Sequence, residues 1–223
     1  MSERSLMETV IDTKPSLRRR IIEAADGLIR EHGLAGATTR EIARAAGCAE
    51  GSIYVHFEDK IDLVIAVLVE REPSFAELLE LPAKAGEATV EANLVPWVDE
   101  LLRLMRENQP IFYALLSDRA VFKRFKERLY ERETGPVAVY RAAESYVRAE
   151  QELGRVDGEV EPGIAAAILV GAVRDQVVAH ALTPRQPTPA DVFARALVRA
   201  LIFGLAPAAA REAQPANTEE GPS

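Results

Sequence analysis

Thiols, imidazoles and long apolar runs are scarce in this chain, and each scarcity closes off a class of function. One cysteine in 223 residues, Cys48, excludes a disulfide framework and any metal site built on several thiolates. The three histidines, His32, His56 and His180, have no ligand partner at i+4 and no Glu-x-x-His pairing. No Gly-rich phosphate loop follows a strand, and there is no nucleophile elbow. The inventory argues against an enzyme, and no metal, cofactor or catalytic residue is expected. No uncharged run reaches the ~20 residues of a membrane span. The opening MSERSLMETVIDTK has no apolar signal-peptide core. A soluble, cytoplasmic protein without membrane contact is the expectation.

Strong positive charge is missing as well. The formal net charge is −8. Residues 1–60 hold nine Lys or Arg against ten Asp or Glu, and residues 61–223 hold eighteen against twenty-five. A nucleic-acid-binding domain is usually clearly basic. Any DNA binding must therefore rest on placed contacts over a weak non-specific background, and the acidic remainder discourages other approaches.

What is present concentrates at 38–57, TTREIARAAGCAEGSIYVHF. Thr38 is a good N-cap, with Glu41 three residues on as a capping box requires. The first helix runs Thr39 to Ala46 with Ile42, Ala43 and Ala46 on its apolar side. Gly47 breaks it, because glycine tolerates the left-handed conformation of a sharp turn. A second helix starts near Glu50 and carries Ile53 and Phe57 inward. A small residue four before the turn glycine and an apolar plug six after it suit two helices crossing steeply. That is the helix-turn-helix that seats a helix in the DNA major groove. The plainer alternative is an ordinary αα-hairpin.

With its flanks, the segment resembles the DNA-binding domain of the TetR (tetracycline repressor) family of transcriptional regulators. Ala24, Gly33, Thr38, Thr39, Ile42, Ala43, Ala46, Gly47, Gly51, Ser52, Ile53, Tyr54, His56, Phe57 and Lys60 carry the resemblance. It covers the first third of the chain; beyond that only size and helical character match. The resemblance implies an all-α fold, with an N-terminal three-helix helix-turn-helix domain and a larger C-terminal helical domain for ligand binding and dimerisation. It implies a regulator, expected to be a repressor, that binds a double-stranded pseudo-palindromic operator as a homodimer and is released by a small apolar effector.

The recognition helix is expected at Ala49 to His56. Gly51 costs about 1 kcal/mol inside a helix and suits close approach to phosphate. Ser52 and the Tyr54 hydroxyl are donors for phosphate oxygens, and Lys60 adds charge and free N–H groups at the next helix start. The resemblance assigns backbone contacts to Thr39, Tyr54 and Lys60; Thr38 and Arg40 complete the expected DNA-binding set. Val55 can touch a thymine methyl, and His56 a base edge or a structural partner. Glu50 stands where the family often has Lys or Arg, and Ala49 where it often has a capping Ser or Thr. Glu50 suits the helix dipole and repels phosphate, yet can accept from a cytosine amino group. Arg18, Arg19 and Arg20 oppose the dipole of the first helix, either as a solvated cluster or because phosphates lie nearby.

In order, 1–15 reads as a flexible arm, 16–72 as the DNA-binding domain, 73–206 as the larger domain and 207–223 as a disordered tail. A first helix capped by Ser16 runs to His32, with Gly33 as its C-cap. A fourth runs from Lys60 to about Arg71, ended by Pro73. A short piece spans Phe75 to Leu81, and 82–93 is the expected junction between domains. Further helices are expected at 90–108, 110–116, 119–133, 137–153, 162–182 and 191–205, with a stiff loop at Thr183 to Pro189. The aromatics of this half fill a core or line an apolar cavity. Trp97, Leu101, Met105, Phe112, Tyr113, Leu116, Phe125, Tyr140, Gln176 and His180 are the ligand candidates. In the last two long helices, Ala165, Ile168, Gly171, Ala172, Ala196, Ala200 and Gly204 are the candidates for a four-helix dimer interface. A competing class is a helical interaction protein whose helix-turn-helix no longer binds DNA.

Overall fold

The computed structural model describes residues 15–70, 73–182, 186 and 188–204. The expected arm before Pro15, the tail from 207 and most of the Thr183 to Pro189 loop lie outside the described residues. Every regular element among the described residues is helical. Two compact units form: one from Met1–Pro73 and Asn108–Gly135, the other from Ser74–Glu107 and Pro136–Ser223.

The first unit begins with α1, Leu17–Gly36, capped by the Ser16 hydroxyl, which accepts from the Arg19 N–H. Gly33 (φ 74°) interrupts α1 where the sequence predicts its end. α2 spans Thr39–Ala46 and α3 Glu50–His56. α4 spans Lys60–Glu70, and Pro73 opens α5, Pro73–Leu79. Proline suits a first helical position because its missing N–H would be unpaired there anyway. A 3-10 turn, Leu81–Lys84, follows.

α6 then runs unbroken through Val90–Leu116, so the break expected before Pro110 does not occur. Proline removes one helical hydrogen bond, but Ile111 and Leu115 just beyond it are fully buried and hold the last turns in the core of the first unit. α7 is Arg119–Glu131, capped by Asp118, whose carboxylate accepts from the Ala120 and Val121 N–H groups. The second unit adds α8, Pro136–Glu152, α9, Pro162–Leu182, and α10, Ala190–Phe203. α8 packs on the 3-10 turn and on α9, and α9 packs on α10.

The expected junction at 82–93 lies inside the second unit. A buried polar cluster ties it down. The Asn93 amide donates to the Lys84 and Glu87 carbonyls (both 3.0 Å), and Arg155 to the Glu87 and Ala88 carbonyls (3.2 and 2.7 Å). Arg155 also pairs with the fully buried Glu150 at 3.0 Å. Buried polar groups cost free energy unless partnered, so the loop carbonyls and these side chains require one another. In α9, Pro162–His180 is long and apolar enough to cross a membrane by length and composition. Ala165, Ala166, Leu169, Val173 and Val177 nevertheless lie buried along it, as in a core helix.

The core of the first unit joins distant segments. Ile21, Ile42, Ile53, Phe57, Leu63 and Val64 share one cluster with Ile111, Leu115, Phe125 and Leu129. Above that cluster α7 is bound to the start of α4 by charge. Arg124 meets Asp59 at 2.5 Å, Arg128 meets Glu58 at 2.6 Å and Asp59 at 3.5 Å, and Arg132 pairs with Asp62. Asp59 and Asp62 each work twice. Asp59 Oδ1 accepts from the Asp62 N–H, and Asp62 Oδ2 from the Glu58 N–H, both caps on the α3–α4 turn. Their other oxygens face the α7 arginines.

Burial raises the Asp62 pKa, but the Arg132 guanidinium and the Glu58 N–H outweigh it and hold the carboxyl below its usual value. A carboxyl depressed in the folded state stabilises the fold above its unfolded pKa, about 3.9, and that contribution is lost as pH falls through the folded value. Urea unfolding followed from neutral pH to below about pH 4 should therefore lose more stability in the wild type than in Asp62→Asn. Parallel curves would contradict this.

Candidate nucleic-acid interface

The local chemistry of α2 and α3 builds the site. Thr38 Oγ1 accepts from the Glu41 N–H, and the Glu41 carboxylate accepts from the Thr38 N–H at 3.1 Å, closing the capping box. The Thr38 hydroxyl, which donates to the Glu41 carboxylate at 2.8 Å, and then the Thr38 N–H hold the Glu41 carboxyl below its ordinary pKa. Gly47 takes the left-handed conformation (φ 67°, ψ 44°), which any other residue would adopt only under strain. That turn lets α3 cross α2, with Ala43, Ala46, Ile53 and Phe57 buried beneath.

The outer face of α3 is exposed. Val55 is 80% and Tyr54 55% accessible, Glu50 and Gly51 are exposed, and Ser52 and His56 half-buried. Nothing lies within 4 Å of where a Cβ on Gly51 would stand, so the glycine leaves open space on that face. Ala49 caps α3 with its backbone only, as its apolar side chain requires.

The Glu50 carboxylate has an occupation that neither sequence reading anticipated. It accepts from Thr39 Oγ1 at 2.6 Å, joining the first residue of α3 to the first of α2. A charge-assisted hydroxyl–carboxylate bond of this length is among the stronger neutral-donor bonds, and it engages the hydroxyl expected to face phosphate. Lys60 is likewise engaged: its ammonium donates to the Leu34 carbonyl at the end of α1. Burial lowers its pKa, with the Glu41 charge opposing.

Arg18 is engaged within the unit. It bonds both Glu70 oxygens and the His56 carbonyl, with its guanidinium 4.4 Å from the Phe57 ring centroid. It thereby joins α1 to the ends of α3 and α4. Arg19 pairs with Glu23 along α1 at 2.9 Å. By contrast, Arg40 and Arg44 stand exposed on α2, lining a shallow depression with Glu41, Ala43, Cys48 and Glu50. Arg44 was not among the expected contacts; its position one turn beyond Arg40 was the available signal.

The ligand candidates separate. Phe112, Tyr113, Leu116 and Phe125 belong to the first unit, and Trp97, Leu101, Met105, Tyr140, Gln176 and His180 to the second. Phe125 is 3% exposed and stacks on Phe122 inside the first unit's core. Phe112 meets Phe122 edge-on, and Tyr113 and Leu116 are exposed. Trp97 is buried and donates its indole N–H to the Leu78 carbonyl at 2.9 Å. Leu101 is buried, Met105 and Gln176 are half-buried, and His180 is exposed. The Tyr140 hydroxyl donates to the Gly163 carbonyl at 2.5 Å.

Of the dimer candidates, Ala165 is 3% exposed and faces its own unit's core. Gly204 ends α10 as its C-cap (φ 64°), not as an interior packing residue. Ile168, Ala196 and Ala200 are exposed, and Gly171 and Ala172 half-buried. Larger apolar residues that the small-residue pattern overlooked share these two helices, with Ile164 61%, Leu182 78%, Val192 49% and Phe203 41% accessible.

Residues 21–67 match the model of the bacterial regulatory proteins of the TetR family. The repressor AcnR of Corynebacterium diphtheriae is 38% identical over 74 residues, covering 33% of this chain and 39% of that protein. The regulator SrpR of Pseudomonas putida is 38% identical over 82 residues, covering 37% of this chain and 38% of that protein. The matched stretch thus spans about two fifths of these curated relatives. Solved structures extend further. A Mesorhizobium loti protein assigned to the TetR family covers 84% of this chain and 95% of its own, at 21% identity and a TM-score of 0.67. FadR of Bacillus subtilis, in complex with stearoyl-CoA, covers 84% and 98% at 20% identity and a TM-score of 0.62. Residues 21–67 are thus similar to the TetR family of bacterial regulatory proteins, and the chain shares the fold of these solved structures.

Proposed function

We propose that the protein is a ligand-responsive transcriptional regulator, a cytoplasmic repressor that binds a pseudo-palindromic operator as a homodimer. The observation that carries this reading is the outer face of α3. An 80% exposed Val55 and a 55% exposed Tyr54 on a well-capped helix-turn-helix suit base-edge and phosphate contact. Thr38, Thr39, Arg40, Glu50, Gly51, Ser52, His56 and Lys60 complete the proposed surface, to which Arg44 is added. A bound duplex has to draw Thr39 and Lys60 away from Glu50 and Leu34, or be contacted by other groups.

The effector we propose is largely apolar. Its candidates are the second-unit residues Trp97, Leu101, Met105, Tyr140, Gln176 and His180. The stearoyl-CoA held by the Bacillus subtilis neighbour makes long-chain acyl-CoA the first compound to test. A ligand shifts an equilibrium only by its unequal affinity for two states, and nearly complete release takes on the order of 5 kcal/mol of difference.

Incubating the full chain with sheared DNA of its own genome, and sequencing what it retains, tests the reading. The expected fragments share a two-fold motif with half-sites roughly 34–36 Å apart. Tyr54→Phe should weaken binding to all of them alike, and stearoyl-CoA should release them. Retention of no fragment would favour the helical interaction protein instead.

Assembly is tested separately. The exposed Ile164, Ile168, Val192 and Phe203 on α9 and α10 support the two helices as the dimer surface, which should bury well above about 1,000 Å². Sedimentation should find a dimer in the wild type and a monomer in Ile168→Glu. A monomeric wild type at micromolar concentration would contradict this.

A further inference from the structure

The corner where α3 gives way to α4 is acidic in a place where a DNA-binding protein can least tolerate it. Glu58 and Asp59 precede Lys60 in sequence and Asp62 follows it, and the Glu58 side chain is 67% exposed. Two of these carboxylates are fixed by structure, since Asp59 and Asp62 cap the turn and the start of α4. A carboxylate at a helix N-terminus complements the helix dipole. The same charge repels a phosphate seeking the N–H groups of that terminus. The rest of residues 15–70 offers no surplus to offset it, since outside this corner it holds six Lys or Arg against six Asp or Glu.

The offset comes from a segment about sixty residues away. Residues 108–135 hold six Lys or Arg against four Asp or Glu. Three of the six, Arg124, Arg128 and Arg132, recur every fourth residue, so they share one face of α7 and its C-cap. Between them they reach all three acids of the corner. Arg128 sits centrally, its side chain 24% exposed, bridging Glu58 and Asp59. Arg124 is 60% exposed, so the pair it makes lies open to solvent and salt.

We propose that α7 supplies the built-in counter-ions of the DNA-binding surface: Arg124, Arg128 and Arg132 neutralise Glu58, Asp59 and Asp62 so that the start of α4 can accept the phosphate backbone. The arginines are positioning residues that act through the carboxylates and do not touch DNA. This inference rests on the DNA-binding reading and deepens it. A purely structural role for the pairs predicts a loss of stability with no particular dependence of DNA affinity on the acids. A direct phosphate contact predicts that the acids are irrelevant.

The test uses the full chain, a duplex of a fragment it retains, and a random-sequence duplex of equal length, titrated over a salt series. Arg124→Gln with Arg128→Gln should weaken both duplexes by about tenfold at low salt, with the loss shrinking as salt rises. Adding Glu58→Gln and Asp59→Asn should restore affinity, since asparagine keeps the capping oxygen and no charge is left to neutralise. Glu58→Gln alone, at an exposed position that threatens no fold, should tighten binding severalfold. Unaltered affinity in the double arginine variant overturns the proposal, as does a loss that persists in the fourfold variant, or no gain in Glu58→Gln. A wild type that binds neither duplex removes the DNA-binding reading itself, a result distinct from all of these.

Discussion

Two carboxylates at the head of α4, Asp59 and Asp62, tie the α3–α4 turn to α7 within the N-terminal unit. Each gives one oxygen to the backbone of the α3–α4 turn and the other to an arginine of α7. The turn fixes where α3 ends, and the arginines tie α7 to it. Exposed ion pairs alone contribute little, but these lie over an apolar seam in which Phe125 and Leu129 share a core with Ile61 and Leu63. The apolar contacts stabilise the seam, and the charges set its register. The domain is consequently discontinuous in sequence, its helix-turn-helix completed by residues that follow more than thirty positions of another unit.

What could be read beforehand was local chemistry. Thr38 and Glu41, Gly33, Gly47 and Asp118 each announce a cap or a turn through their own side chains and immediate neighbours, and all stand where their chemistry requires. The misreadings involve partners the sequence does not place together. Pro110 looks like a boundary because its missing N–H is a local fact, whereas the burial of Ile111 and Leu115 is not. Arg18 reads from its neighbours as either a solvated or a phosphate-facing cation, and its pairing with Glu70, 52 positions on, is not visible there. Glu50 offered two readings and has a third, because Thr39 is eleven residues back yet adjacent across the turn.

The C-terminal half shows the same division. Helix positions there followed from periodicity and capping, but side-chain roles did not. The small-residue pattern drew in Ala165, which is internal, and passed over Ile164, which presents a larger apolar area to solvent. The ligand candidates share a residue type rather than a place, and they divide between the two units. The likeness to regulators of known structure covers most of the chain, while the stretch with substantial identity is confined to the helix-turn-helix. The proposed recognition of DNA therefore draws on sequence identity as well as on the fold.

The central claim is that α2, α3 and the start of α4 form one surface that DNA covers. Amide hydrogen exchange on the full chain, with and without a retained duplex, measures this directly. The account predicts slowed exchange at residues 39–63, together with α7 through the arginine pairs, and little change in α8. Protection absent from 39–63, or confined to the second unit, would contradict it.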